Sequence, residues 1–163
     1  MISKFALVAL ALVASVTSVS AQAKKPATGS GKAAAGSGVA VAHGKCLKLT
    51  VRGETLAACK GEVASLTLAG GKIMFVFTAK GNAVAFQGEG KGVKPKGDAM
   101  VLPVSFASVG VDGKTPGVTP ATGSCVFNNP YLGKPAKVDC LATSQFGEIS
   151  GSFLTDGKPP TAQ

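Results

Sequence analysis

Residues 62–87, EVASLTLAGGKIMFVFTAKGNAVAFQ, decide the fold of this chain. Their apolar residues recur at every second position, and Gly-Gly and Lys-Gly break the run at short intervals, which is the pattern of antiparallel strands joined by tight turns. In a hairpin the turn dictates which side chains face each other. A two-residue turn at Gly70-Gly71 pairs Leu68 with Ile73, Leu66 with Phe75 and Ala64 with Phe77. A turn at Lys80-Gly81 pairs Phe77 with Val84 and Phe75 with Phe86. Both turns put Phe75 and Phe77 on one face, so a three-stranded meander is expected, with Leu66, Phe75 and Phe86 as its core stripe. The opposite face carries Val63, Met74 and Val76 beside Ser65, Thr67 and Thr78; being only half polar, it is expected to be partly covered.

The same reasoning extends upstream. A turn at Arg52-Gly53 makes strands of residues 46–51 and 54–59 and sets Cys46 opposite Cys59. The position is a non-hydrogen-bonded pair, whose Cα separation of about 4.5 Å is at the short end of what a disulfide accepts. Downstream, Met100, Leu102, Val104 and Phe106 share a face, and Pro103 signals an edge strand or a bulge. Residues 122–127, 136–142 and 146–153 read as further short strands. The expected fold is all-β, an antiparallel β-sandwich or small barrel of about seven to nine short strands. It lacks the Cys…Trp…Cys pattern of immunoglobulin domains, having no Trp at all. Four Cys allow three pairings. Cys46–Cys59 and Cys125–Cys140 are favoured because each joins neighbouring strands, and each would staple the sheet.

Organisation follows from composition. Lys4 precedes an uninterrupted apolar run over residues 5–14, followed by small residues that offer cleavage after Ala21 or after Ala23. Such a run covers about 15 Å, half a bilayer's hydrocarbon core, so residues 1–21 read as a cleaved Sec-type signal peptide, with an alternative cleavage after residue 23. Residues 22–45 read as a flexible basic Ala/Gly/Ser/Lys linker, residues 46–158 as a single β-domain and residues 159–163 as a disordered C-terminal tail. The formal charge of +9 is distributed accordingly. Lys24, Lys25, Lys32 and Lys45 face no acid within the linker, whereas residues 46–163 carry twelve cations against all eight acids. The localisation expected is secreted or periplasmic.

Candidate chemistry is sparse. Residues 27–33 superficially resemble a phosphate-binding loop, but Pro26 occupies the first glycine position and Ala33 the Ser/Thr position. No C-x-x-C marks a metal or haem site, and no G-x-S-x-G marks a hydrolase elbow, so no catalytic residue, metal or cofactor is assigned. His43, the one histidine, falls where the linker meets the first strand. The possible anion-binding loop is Lys91, Lys94 and Lys96 around Pro95, flanked by Glu89 and Asp98; the competing role is a charged edge that blocks sheet-to-sheet association. Tyr131, the sole tyrosine, lies in an Asn/Pro loop as a possible contact residue, or as that loop's own anchor.

These features point to an exported, non-enzymatic β-domain of the cell envelope that binds a protein or polymer through its loops. The alternatives are a secreted hydrolase inhibitor, a polyanion-binding protein, or an enzyme with a dispersed carboxylate site. The expected partner is an envelope protein or an anionic polymer. Nucleic acid is disfavoured, because half of the mature basicity lies in the linker, and no transmembrane segment is expected in the mature chain.

Overall fold

The computed structural model describes residues 37–114 and 117–163. The expected signal peptide lies outside these residues, as does the linker up to residue 36. Eleven antiparallel strands are formed: β1 Gly38–Val51, β2 Glu54–Thr55, β3 Glu62–Leu68, β4 Lys72–Ala79, β5 Asn82–Glu89, β6 Lys94–Lys96, β7 Ala99–Gly110, β8 Thr119–Asn128, β9 Lys137–Ser144, β10 Gly147–Thr155 and β11 Thr161–Ala162. Eight of them close a barrel in the order β1-β3-β4-β5-β7-β8-β9-β10, with β10 returning to β1. The short strands β2, β6 and β11 hang on β1, β7 and β1 respectively. Of the two architectures expected, the barrel is the one formed.

Closure depends on β1. Its first half, residues 38–43, pairs with β3, and its second half, residues 44–51, pairs with β10. The segment expected to be linker therefore begins the barrel at Gly38, and His43 lies within a strand, exposed and opposite Glu62. The expected C-terminal tail is likewise corrected: Thr161 and Ala162 pair with Val41 and Ala40. Both corrections have one cause. Backbone ladders recruit segments that carry little side-chain signature of their own.

The interior is filled. Phe77, Phe86, Phe153, Leu49, Leu102, Ile149 and Val84 are fully buried, and Phe77 and Phe86 meet edge to face with centroids 5.8 Å apart. Room for the Phe77 ring comes from Gly151 across the barrel, where an added Cβ would lie 2.9 Å from the ring. Gly151→Ala is therefore expected to destabilise by about 1–3 kcal/mol through overpacking, read as a lower urea midpoint; an unchanged midpoint would contradict this packing. An apolar interior with exposed lysines such as Lys48 and Lys137 outside is opposite to the polarity of lipid-spanning barrels, which are polar within. Among the described residues, no helix is long and apolar enough to cross a membrane.

The predicted registers fare differently. At Lys80-Gly81 the pairs Phe77–Val84 and Phe75–Phe86 form as expected. At the β3–β4 connection the chain uses three residues, Ala69–Gly71, with both glycines in the left-handed region, so Leu68 faces Lys72 and not Ile73. That slip of one residue inverts β3. Val63 and Ser65 turn inward opposite Phe77 and Phe75, while Ala64, Leu66 and Leu68 turn outward. Small residues opposite two phenylalanines suit the taper of a narrow barrel better than Leu66 would.

In β7, the inward phase runs through Leu102 and Val104 and then shifts at a bulge to Ala107, leaving Phe106 half-buried on the outside. Pro103 falls between the pairing with β6, which ends at Val101, and that with β5, which begins at Phe106, so its missing N–H breaks no ladder on that side.

Both expected disulfides are present. Cys125 and Cys140 are directly opposed on β8 and β9, with Cα atoms 4.0 Å apart and both side chains buried in the core. Cys46 and Cys59 are 5.9 Å apart at Cα, wider than the ladder pair expected. The Arg52-Gly53 turn has both residues at positive φ, as a type I′ hairpin requires, and its register continues to a Leu56 N–H bond with the Leu49 carbonyl. The chain then leaves the ladder around Ala58, at φ 54°, and rejoins it where the Gly44 N–H bonds to the Gly61 carbonyl. The disulfide bridges this gap. Two disulfides suit an oxidising, extracytoplasmic environment.

Candidate functional site

Antiparallel alternation sorts the connections between the barrel's two ends. One end gathers the β1–β2, β4–β5, β7–β8 and β9–β10 turns; the other gathers the β3–β4, β5–β7 and β8–β9 connections. The second end carries both loops singled out in the sequence, the lysine loop between β5 and β7 and the Tyr131 loop between β8 and β9.

Lys91 is exposed in a single 3₁₀ turn, Gly90–Gly92. Lys94 and Lys96 lie on β6 opposite Val101 and Ala99, so the two-residue period sends both to one face, the outside of the barrel. β6 pairs only with β7, and Pro95 and the lysines therefore occupy an edge. Proline and lysine are the residues that keep an edge from recruiting another chain, which accounts for part of this composition without any ligand.

The two loops are tied together. The Asn128 side-chain amide donates to the Asp98 carbonyl at 3.2 Å, and its oxygen accepts from the Lys137 N–H at 3.4 Å. The Tyr131 loop is held by Asn129, whose Oδ1 accepts the Tyr131 N–H at 2.9 Å. Anchoring thus falls to two asparagines, and the tyrosine ring is left 62% exposed beside Leu132 at 61%. Two nearby acids are ion-paired with other lysines. Asp139 pairs with Lys137 at 2.7 Å, Asp156 with Lys158 at 3.6 Å, and Glu89 faces Lys72 across the β4–β5 ladder. Among the described residues, no carboxylate lies within ion-pair distance of Lys91, Lys94 or Lys96. The arrangement offers point charges and an exposed aromatic ring, groups that complement an anionic chain.

Below these loops the barrel is nearly closed. A cavity of about 40 Å³ lies against Phe75 and Phe127 beneath Pro130 and Pro160, enough for little more than a water molecule. The opposite end is more open, with a 390 Å³ hollow among Val51, Arg52, Leu56, Asn82, Val109 and Phe146. Arg52 Nε donates to the Phe146 carbonyl at 3.1 Å, so this cation serves a turn-to-turn contact.

Sequence reasoning missed this mouth and also an outer groove along β4, β5 and β7. Both are made of residues distant in the chain, and the half-polar face of Met74 and Val76 is the one signal of the groove that the sequence carries. Among the described residues, no three His, Cys, Asp or Glu side chains gather as metal ligands. Compared with known proteins, the chain matches no family model, no curated protein and no solved structure.

Proposed function

We propose that this chain is an exported, non-enzymatic binding domain of the cell envelope, secreted or periplasmic, and that it engages an anionic polymer through Lys91, Lys94, Lys96 and Tyr131. The observation that supports this reading is the convergence of the lysine and tyrosine loops at one end of the barrel, tied by the Asn128–Asp98 hydrogen bond. Cations without acidic partners exchange small counterions for polymer phosphates or carboxylates, and the exposed Tyr131 and Leu132 add apolar contact at the rim. A filled interior leaves the loops and outer surface as ligand faces. The signal-like residues 1–21 and the two disulfides support export.

Heparin serves as a polyanion probe. Its affinity should fall by roughly one to two orders of magnitude between about 50 and 200 mM salt if three lysines release counterions. The K91A/K94A/K96A variant should bind more weakly and with a shallower salt dependence. Salt-independent binding, or a variant that binds as the parent does, would contradict the proposal.

A further inference from the structure

We propose that the outer groove on β4, β5 and β7 binds a long-chain carboxylate, with the alkyl chain along the sheet and the head group at a lysine. This site is separate from the lysine and tyrosine loops and does not rest on their reading. Because Phe75, Phe77, Val84 and Phe86 fill the barrel, Met74, Val76, Ala83 and Ala85 must face outward. On a barrel with a packed interior that face would ordinarily be polar. Ala85 is only 8% exposed even so, because Val76 and Ser108 stand on either side of it in the ladder. The small side chains leave a trough between Met74 and Val76 on one side and Val118 on the other. Its volume is about 480 Å³, within the range of small-molecule sites.

Two cations mark the lips of the trough, each on backbone held by hydrogen bonds. The Lys60 N–H donates to the Thr78 carbonyl at 2.8 Å, which seats Lys60 beside β4. The Gly113 N–H donates to the Gly81 carbonyl at 3.0 Å, docking the Val111–Lys114 turn on the β4–β5 turn and placing Lys114 at the other lip. Among the described residues, no carboxylate lines the groove; Asp112, in the same turn as Lys114, lies next to Gly81 and outside the lining. An apolar floor with cationic lips complements a ligand that is apolar along its length and anionic at an end.

The polar inventory separates an alkyl chain from a peptide. The floor is the face of a sheet whose backbone groups are already spent in the β4–β5 and β5–β7 ladders, and the uncharged hydrogen-bonding side chains that line the groove are Thr78, Asn82 and Ser108. A peptide laid there would leave its own N–H and C=O groups without partners, at a cost of about 1–3 kcal/mol for each one buried. An alkyl chain carries no such groups.

The test uses oleate below its micellar concentration, competing with a dansyl-undecanoate reporter, and methyl oleate as the uncharged control. Oleate should displace the reporter, and methyl oleate should bind up to about fivefold more weakly, as expected of one exposed ion pair. The surface variant K60Q/K114Q should lose that preference while still binding the ester. A85F, which fills the trough, should lose both ligands; its fold is checked by circular dichroism. Amide shifts in the parent protein, confined to Met74, Val76, Ala83 and Ala85 and their neighbours, give a reading independent of any variant. Failure of oleate to bind, equal affinity for acid and ester, or shifts mapping to another surface would overturn the proposal.

Discussion

Phe77→Ala is expected to lower the unfolding free energy by about 3–5 kcal/mol, against the roughly 5–15 kcal/mol typical of a whole domain. Phe77 is fully buried, its ring lies against Gly151, and Phe86 meets it edge-on. Truncation loses the transfer free energy of the ring and leaves a cavity that Gly151 has no side chain to fill. A closed ladder of eight strands cannot easily contract around the void, so the cavity contribution should persist. Urea unfolding should show a lower midpoint with an unchanged slope. A loss below about 1 kcal/mol, the range of ordinary surface changes, would mean that the interior is not packed as described.

Removing the Cys125–Cys140 bridge as C125A/C140A is expected to destabilise the barrel by about 2–5 kcal/mol. The bridge closes a separation of 15 residues, for which chain entropy alone suggests about 3 kcal/mol. Its cysteines are also core residues between β8 and β9, at 0% and 3% exposure, so the double alanine variant gives up packed volume as well. The comparison with C46A/C59A is the sharper part of the prediction. That bridge spans a nearly equal separation of 13 residues, but it pins a stretch that has left the β1 ladder. Its removal should release residues 56–61 first, seen as faster amide exchange there, with a smaller change in the global midpoint. Equal global losses for the two variants, with no local release, would contradict the distinction.

These elements also show how far the sequence could be read. The β4–β5 register is legible because Phe75, Phe77, Val84 and Phe86 form an apolar stripe on both sides of a two-residue turn, and a slip by one would turn Ala85 inward and Phe86 outward. Cys125–Cys140 is legible because neighbouring strands set the two cysteines directly opposite one another; Cys46–Cys59 is legible from the Arg52-Gly53 turn, although the chain leaves that ladder before Cys59. The β3–β4 turn misleads because Ala69-Gly70-Gly71 can supply two or three loop residues. Residues 62–68 offer no decisive stripe either, with Val63 on one face and Leu66 and Leu68 on the other. At residues 38–45 the sequence resembles the Ala/Gly-rich stretch before it, and only pairing with β3 and β10 reveals a strand. Each lysine and the tyrosine of the candidate site could be named in advance. Their meeting at one end could not, because it depends on the alternation of strands around a closed barrel.

A nitrogen–proton correlation spectrum of the isotope-labelled protein, titrated with a short heparin oligosaccharide at low salt, tests the central proposal most directly. The expected result is a set of saturable shifts at Lys91, Lys94, Lys96 and Tyr131 and the backbone joining them through Asn128 and Asp98, with the Arg52–Phe146 end unchanged. Shifts centred on that opposite end, or none at any residue of the two loops, would contradict it.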